Sequence, residues 1–332
     1  MSGVFAAELG EQLSGLLGKR VEIDRAVLVA GGASKEAWVV NVKTAKEKMR
    51  LFVRRAAGGV IYSETISLEQ EYQVLRTAHE WGVKVPKPYG FLESLNGREA
   101  LVMECLEGES IGRRVVRKPE FAATRYELSC QMAEELSKIH AIPLDVLPSL
   151  PGVRKKPAVA HVLEVLEREL DALDEPHPAI ELGLLWLREN APRGHEIVMN
   201  HGDFRVGNLI LDERGLLLGV VDWEFAHFGD PAEDLAWPLV RAWRFGVEHL
   251  HLGGIGEVEP YLEHYNAFAD REVSVEDLFY WEVAGNVRWA IGALNQSRRH
   301  LSGQERSVEL AVLGRLAAEV EHEILYLLEK AC

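Results

Sequence analysis

Two short stretches in the second half of the chain, HGDFRVGN at 201–208 and VVDWE at 220–224, decide the fold. Asp203 and Asn208 stand five residues apart, and Asp222 follows a short apolar strand. An enzyme that transfers a phosphoryl group needs one carboxylate to orient the attacking hydroxyl, and it needs amide and carboxylate oxygens as ligands for Mg²⁺. The spacing matches the H-x-D-x-x-x-x-N loop of kinases, with the metal-binding Asp one strand–turn–strand later. The two stretches therefore predict phosphoryl transfer at Asp203, with Asn208 and Asp222 as metal ligands.

Around these stretches the chain changes from strand patterns to helix patterns. Between residues 20 and 108, a helical pattern at 67–81 accompanies strand patterns at 21–30, 37–42, 51–54, 89–95 and 100–105. After residue 108, two short strands (209–211 and 217–221) accompany helical patterns at 121–140, 158–173, 179–189, 232–245, 258–268, 275–299 and 305–330. The sequence therefore predicts an α+β fold of two lobes: a small β-rich lobe at 1–106 that binds nucleotide, and a large helical lobe at 107–332 for catalysis and substrate binding.

Charge and cysteine content exclude several classes of partner. The 332 residues carry 37 Lys+Arg against 52 Asp+Glu, a net charge of −15. This balance argues against nucleic acid and anionic membranes as partners. The three cysteines form no C-x-x-C pair, which predicts a reducing, cytoplasmic setting. Glu8 and Glu11 interrupt the apolar N-terminus, so we expect an amphipathic helix there rather than a leader, and no apolar run reaches the roughly 20 residues of a membrane span.

Both motifs resemble those of the aminoglycoside phosphotransferase / choline kinase-like family, small-molecule kinases with a protein-kinase-like fold, whose forms are H-G-D-F-x-x-G-N and D-W-E. The resemblance extends from about residue 20 to the C-terminus. It implies ATP and Mg²⁺ as cofactors, with Asp203 as the catalytic base. It also implies that Asp234 braces the catalytic loop and that His201 orients this loop without reacting itself. Arg205, inside the loop, is grouped with the catalytic residues because it can contact phosphate or acceptor.

The N-terminal lobe contains a candidate for the cation that grips the α- and β-phosphates of ATP. Kinases place a lysine on the third strand, where a helix glutamate holds it. In the helix at 67–81, Glu71 lies on the apolar face and needs a buried cationic partner. We expect that partner to be Arg54, because Arg55 points to the other face of the strand. Arginine is not equivalent to lysine, which leaves a nucleotide-binding pseudokinase or regulatory module open as an alternative to an active kinase.

Two further segments are candidates for nucleotide binding. Gly31, Gly32 and Ser34 lie between the first two strands, where backbone N–H groups and a hydroxyl can approach phosphate oxygens. The Walker pattern is absent, which disfavours a P-loop enzyme. The segment at 103–108 resembles the hinge that binds adenine, through backbone groups of Glu104 and Leu106.

The acceptor is predicted to be a small molecule. Only five positions separate Glu224 from Gly229, too few for the activation segment of a protein kinase. Candidate lining residues are polar or aromatic residues of the helical lobe: Trp237, Trp243, Tyr280, Trp281, Asn286, Arg288 and Trp289. Aromatic residues at helical spacing belong to the core more often than to a ligand site, so the core stays the alternative for each of them.

The charge pattern does not decide which small molecule it is. Carboxylates at Glu224, Asp230 and Glu233 favour a cationic acceptor such as an aminoglycoside, whereas basic clusters at 113–118, 154–156 and 298–300 favour an anionic metabolite such as a hydroxyacyl-CoA. The oligomeric state also stays open between monomer and homodimer, because the apolar side of the helix at 305–330 fits either the core of the lobe or a dimer face.

Overall fold

The N-terminal lobe is an antiparallel sheet between two helices in the computed structural model, which describes residues 3–29, 35–56, 65–154 and 157–331. The strands are β1 (Glu22–Val29), β2 (Lys35–Lys43), β3 (Lys48–Ala56), β4 (Pro88–Leu95) and β5 (Arg98–Glu104), and the helices are α1 (Gly3–Leu17) and α2 (Leu68–Glu80). Their order in the sheet is β1-β2-β3-β5-β4, with every neighbouring pair antiparallel.

The two faces of this sheet pack against different helices because side chains alternate along each strand. Phe5, Leu9 and Leu13 of α1 recur every four residues and pack on the face that carries Leu51 and Val53 of β3. The opposite face belongs to the larger core that includes α2. Successive residues of β3 therefore point to different helices, which separates Arg54 from Arg55.

The C-terminal lobe is mainly helical. Its helices are α3 (Gly112–Arg117), α4 (Arg125–His140), α5 (Ala158–Asp171), α6 (Pro178–Glu189), α7 (Pro231–Ala236), α8 (Val258–Phe268), α9 (Val275–Leu301) and α10 (Val308–Ala331). Its short strands pair as two ribbons, β6 (Val198–Asn200) with β9 (His227–Gly229), and β7 (Leu209–Leu211) with β8 (Leu217–Val220). Both motif stretches cross between these ribbons: 201–208 runs from β6 to β7, and the D-W-E stretch runs from β8 towards β9.

Two helices predicted from the sequence are broken in the structure. The segment at 232–245 is helical only to Ala236, and 3-10 turns follow at Trp237–Leu239 and Arg241–Arg244. Pro238 has no N–H for a helix, and Val240 between the turns is extended (φ −52°, ψ 132°). The segment at 121–140 begins as a 3-10 helix (Pro119–Thr124) before α4.

The last helix belongs to the core of its own lobe. The apolar residues of α10 that the sequence predicted on one side are buried, with the exception of Leu313: Leu310, Val320, Ile324, Leu327 and Leu328. They join the large core cluster with α6 and α9, apart from Leu310. Of the helices that the structure describes, none has the length and apolar character needed to cross a bilayer.

Candidate active site

The loop that carries Asp203 is fixed by a buried carboxylate. Asp234 of α7 accepts hydrogen bonds from the backbone N–H groups of His201 (2.5 Å) and Gly202 (2.8 Å). Burial by itself raises the pKa of Asp234, but the hydrogen bond with His140 brings the net pKa below the usual value, so the brace stays ionised. Asp234 therefore lies where the family resemblance placed it, hydrogen-bonded to the backbone of the catalytic loop.

Gly202 allows this loop to turn. Its φ is +80°, and a Cβ there would lie 2.2 Å from the backbone oxygen of Phe225. Both the left-handed backbone and the close approach exclude a side chain.

His201 orients the loop in its neutral form. Burial lowers the pKa of His201 below its ordinary value. Its Nδ1 accepts from the backbone N–H of Asp203 (3.2 Å), so Nε2 carries the proton and donates to the backbone oxygen of Val221 (3.1 Å). The ring therefore ties the first motif to the second, with its centroid 4.6 Å from that of Trp223.

The carboxylate of Asp203 is held by three donors. Oδ1 accepts from Nε1 of Trp237 (2.7 Å) and from Nε of Arg205 (3.0 Å), and Oδ2 accepts from Nδ2 of Asn208 (2.6 Å). These bonds fix the orientation of the carboxylate. Asp203 is therefore a pre-oriented carboxylate suited to accept a hydrogen bond from a hydroxyl.

Asn208 and Asp222 are brought together by a backbone hydrogen bond, because the N–H of Val221 donates to the carbonyl of Asn208 (2.9 Å). The amide nitrogen of Asn208 donates to Asp203, which orients its amide oxygen away from that residue. Asp222 has a strained left-handed backbone (φ 70°). Non-glycine residues in this conformation are found most often at functional sites. Both side chains offer the oxygen ligands that Mg²⁺ takes.

A divalent cation here would need additional ligands from the substrate. The part of the chain that the structure describes holds no cluster of three His, Cys, Asp or Glu side chains able to bind a metal by itself. One amide and one carboxylate fit Mg²⁺, which commonly completes its shell with phosphate oxygens and water.

On the N-terminal side, Arg54 lies against Glu71, the partner predicted for it. The same guanidinium reaches Oδ1 of Asp222 (3.0 Å) and Oε2 of Glu224 (3.5 Å). Burial by itself lowers the pKa of Arg54, but the charges of Glu71, Asp222 and Glu224 raise it above the usual value. Arg55 is on the other face, where it pairs with Glu36 (2.7 Å).

A second cation in this cluster, Lys35, was not identified from the sequence. Its Nζ lies 2.9 Å from Glu71 and 2.8 Å from Glu224. The register pairs Ala37 of β2 with Arg54 of β3, so Lys35, two residues before Ala37, shares the face of Arg54. Strand alternation alone does not give this face, because it also needs the register of β2 with β3. Burial by itself raises the pKa of Asp222, but the charges of Arg54 and Lys35 bring it below its usual value.

Two further segments were predicted to bind nucleotide, and the structure describes only the second of them, at 104–106. Gly31, Gly32 and Ser34 lie outside the described residues. Glu104 ends β5, where its N–H donates to the backbone oxygen of Lys87 (2.8 Å). The Leu106 side chain packs against Gly219, where a Cβ would lie 2.5 Å from its Cδ1. The backbone at 104–106 thus runs between the two lobes, and its contact with adenine stays a prediction.

A cavity of about 270 Å³ opens beside Asp203 on the side of the helical lobe. Four of the predicted acceptor residues line it: Trp237, Trp243, Arg288 and Trp289. The other three candidates, Tyr280, Trp281 and Asn286, do not line it and are buried in the core, which was the alternative for the two aromatic residues. The sequence also missed five lining residues: Phe225 after the D-W-E stretch, Gly292, Ala293 and Gln296 of α9, and Leu313 of α10.

The carboxylates that favoured a cationic acceptor are engaged within the protein. Glu224 contacts Lys35 and Arg54. Asp230 caps α7 and binds His195 (2.9 Å). Glu233 pairs with Arg288 (3.2 Å) and His227 (3.3 Å).

The basic clusters are similarly engaged at several of their members. Lys118 pairs with Glu109, Arg298 donates to the backbone oxygen of Ala172, and Arg299 pairs with Glu305. Of the cluster at 154–156, only residue 154 is described.

A β-rich lobe above a helical lobe, with Asp203, Asn208 and Asp222 at their junction, defines a protein-kinase-like phosphotransferase. Comparison with known proteins gives the family: the chain belongs to the phosphotransferase enzyme family (APH), whose model matches residues 25–273.

Two solved structures illustrate the shared fold. A putative aminoglycoside phosphotransferase from Ralstonia eutropha is 18% identical with a TM-score of 0.78, and the match covers 98% of each chain. The GDP complex of aminoglycoside 2'-phosphotransferase-IIIa is 13% identical with a TM-score of 0.63, over 96% of this chain and 98% of that one.

Curated relatives are much longer proteins. Acyl-CoA dehydrogenase family member 10 of Mus musculus is 26% identical over 232 residues, which is 65% of this chain but only 21% of that protein. The chain therefore corresponds to about a fifth of the length of this relative.

Proposed function

We propose that the protein transfers the γ-phosphate of ATP to a hydroxyl of a small molecule, with Mg²⁺ as the metal. The position of Asp203 supports this most directly. Its carboxylate borders the cavity on one side and is bonded to Asn208 on the other. A hydroxyl in the cavity would thus meet a fixed carboxylate beside the residues that suit a metal-bound polyphosphate.

In the proposed reaction, the acceptor oxygen attacks the γ-phosphorus in line with the leaving group. The new oxygen–phosphorus bond forms as the bond to the β–γ bridging oxygen breaks, and ADP leaves with that electron pair. The hydroxyl proton passes to the carboxylate of Asp203 and then to solvent. Products are the phosphate monoester, ADP and one proton.

Asn208 and Asp222 would hold Mg²⁺, which neutralises charge on the phosphates when bound. Lys35 and Arg54 would contact the phosphates, since both are cations on the face of the sheet towards Asp222. Gly31, Gly32 and Ser34 remain the proposed phosphate-covering loop, and the backbone of Glu104 and Leu106 the proposed adenine contact. In the related fold, GDP is the nucleotide named for aminoglycoside 2'-phosphotransferase-IIIa.

The test is an ATP-consumption screen across aminoglycosides, amino alcohols, sugars and hydroxyacyl-CoAs, followed by Asp203→Asn. This variant keeps the size of the side chain but removes the base, so turnover should fall at least about 100-fold while ATP affinity stays within a few-fold. Asp145→Asn, an exposed carboxylate in a 3-10 turn, is the control and should behave as wild type. Unchanged turnover in Asp203→Asn contradicts the proposal.

A second candidate acceptor is the hydroxyl of a hydroxyacyl-CoA. The curated relatives are named acyl-CoA dehydrogenases, and this chain matches only 21% of one of them. A kinase segment within a longer acyl-CoA enzyme would act on a related thioester. The hydroxyacyl-CoA arm of the same screen tests this, and turnover on other acceptors alone excludes it.

A pseudokinase or regulatory module is the alternative of another class. It is disfavoured because Asp203, Asn208 and Asp222 are all present and grouped. Mg²⁺-dependent ATP hydrolysis that disappears in Asp222→Ala would exclude it. We further propose that the protein is cytoplasmic and binds no nucleic acid. We propose that it is a monomer or a homodimer, and size-exclusion chromatography with light scattering measures which of the two forms.

A further inference from the structure

We propose that the acceptor carries its hydroxyl on an apolar body without ammonium groups, and that Gly292 sets how large this body can be. The inference deepens the proposed function and rests on it. It concerns the cavity beside Asp203, whose wall is formed mostly by aromatic and aliphatic side chains, together with one amide, Gln296, and two charged side chains, Asp203 and Arg288.

The charges at this wall are already paired. Asp203 accepts from Arg205 (3.0 Å), and Arg288 donates to Glu233 (3.2 Å). Asp203 is the only carboxylate among the described residues that line the cavity, and its oxygens already accept three hydrogen bonds. An acceptor with ammonium groups would lose water there without gaining a free anion.

Two of the three tryptophans that line the cavity already have a cation on one face. The guanidinium of Arg205 lies 4.2 Å from the ring centroid of Trp243, and that of Arg288 lies 4.8 Å from the ring centroid of Trp237. Each ring therefore already binds a cation through one face. A further positive charge in the cavity would find one face of each of these two rings already occupied, whereas an apolar body would gain from the remaining ring surface.

Gly292 marks where this body can extend. It lies within α9, and a Cβ built on it meets no described heavy atom within 4 Å. By contrast, a Cβ on Gly285 of the same helix would lie 2.8 Å from Val240. Packing thus explains Gly285 but not Gly292, whose missing side chain costs helix stability and leaves open space at the cavity wall.

The first experiment compares cyclohexanol with aminocyclohexanol, which differ by one amino group that is protonated at neutral pH. Binding to the full chain is followed by tryptophan fluorescence, because Trp243 and Trp289 line the cavity. We expect cyclohexanol to bind at least about tenfold more tightly. Equal or tighter binding of aminocyclohexanol or choline, or no binding of cyclohexanol, overturns the proposal.

This readout needs no ATP, so it separates the two proposals. If cyclohexanol binds but no hydroxyl compound is phosphorylated, the proposed function is wrong. Transfer to amino alcohols with preference over cyclohexanol would keep that function and remove the apolar acceptor.

The second experiment fills the space at Gly292. Gly292→Leu should weaken cyclohexanol binding at least about tenfold and leave ATP affinity unchanged, and Gly292→Ala should have a smaller effect in the same direction. Gly15→Leu is the matched control, because Gly15 is also a helical glycine with open space around its Cβ position. Thermal melting verifies folding, and Gly292→Ala decides the matter if the leucine variant unfolds. Wild-type binding in folded Gly292 variants overturns the role of this residue.

Discussion

On one side of Asp203, charged side chains from β2, β3, α2 and the stretch after β8 contact one another, whereas on the other side the cavity wall is mostly aromatic and aliphatic. Lys35 and Arg54 there face Glu71, Asp222 and Glu224. The cavity instead presents tryptophans whose neighbouring arginines are already paired. The two sides suit different halves of a phosphoryl transfer: a metal-bound polyphosphate on the first and an apolar alcohol on the second.

The two sides also differ in whether their residues can be predicted from sequence motifs or only from the packing of the helices. The charged side depends on residues whose spacing or strand alternation is visible in the chain. The cavity depends on how α9 and α10 meet the catalytic loop. Variants that disturb one side should therefore leave ligand binding on the other side intact.

The largest effect is expected for Gly202→Ala, which should damage both sides at once. The new Cβ would lie 2.2 Å from the oxygen of Phe225 at a φ of +80°, so the loop with Asp203 must move. We expect turnover to fall at least about 100-fold and the free energy of unfolding to drop by about 2 kcal/mol or more.

Gly303→Ala is the matched control for that variant. Gly303 has a φ of +78° but open space around its Cβ position, so it carries backbone strain without a clash. Its cost should be about 1 kcal/mol, without loss of turnover. Equal urea-denaturation curves for the two variants would contradict this prediction, because the clash of a Cβ at position 202 with the oxygen of Phe225 would then not lower the free energy of unfolding.

The next largest effect is expected for the cations of the charged side. Lys35→Met and Arg54→Met should each weaken ATP binding by about 10- to 100-fold, since each removes a charged hydrogen-bond donor to phosphate. Glu71 keeps one cationic partner in either variant, which protects the fold. Isothermal titration with ATP and Mg²⁺ measures the change.

Arg55→Met is the control for these two variants, because Arg55 lies on the same strand but points to α1. It should lower stability and leave ATP affinity unchanged. A loss of ATP affinity in Arg55→Met equal to that in Arg54→Met would contradict the assignment of the strand faces.

A smaller effect on the other side is expected for Trp289→Ala. Removing this ring from the cavity wall should lower kcat/KM for the acceptor by about tenfold through lost apolar contact, with the KM for ATP unchanged. Steady-state kinetics with each substrate varied in turn provides the test. An equal change in both KM values would mean that the two sides are not independent.

The smallest effect is expected for the pH dependence of stability, through the Asp230–His195 pair at the start of α7. Asp230 caps α7 and raises the pKa of His195 through a hydrogen bond; burial and Arg271 oppose this, and Asp277 assists. The folded protein thus holds this proton more tightly than the unfolded chain. The stabilisation is complete below about pH 6.5 and is lost as pH rises through the elevated folded pKa.

Thermal melting between about pH 6 and pH 8.5 measures this loss. The decline should be reduced in His195→Asn and unchanged in His249→Asn, whose side chain is exposed. A decline of the same size in His195→Asn would exclude this histidine as its source.

The sequence predicted the charged side well because local spacing determines its geometry. The motif at 201–208 alone places Asn208 beside Asp203. The burial of Glu71 follows from its helix face, and Arg54 follows from its strand. Lys35 needed the exact register of β2 with β3, which the residue pattern of the two strands does not define by itself.

The cavity could be predicted only in part. Tyr280 and Trp289 belong to the same helix and to the same class of residue, yet one is buried in the core and the other lines the cavity. No periodic pattern separates an aromatic side chain in the core from one at an opening. Gly292 has no side chain and gave no signal, since only its neighbours in space reveal the open volume. The broken helix at 232–245, by contrast, was readable from Pro238.

The most direct test of phosphoryl transfer at Asp203 follows ATP labelled in its γ-phosphate during a single turnover with the acceptor from the screen. We expect the label to appear as a phosphate ester of the acceptor hydroxyl, dependent on Mg²⁺, with none bound to the protein. Label that appears only in inorganic phosphate at a rate independent of the acceptor, or on a side chain of the protein, would contradict direct transfer between the two sides.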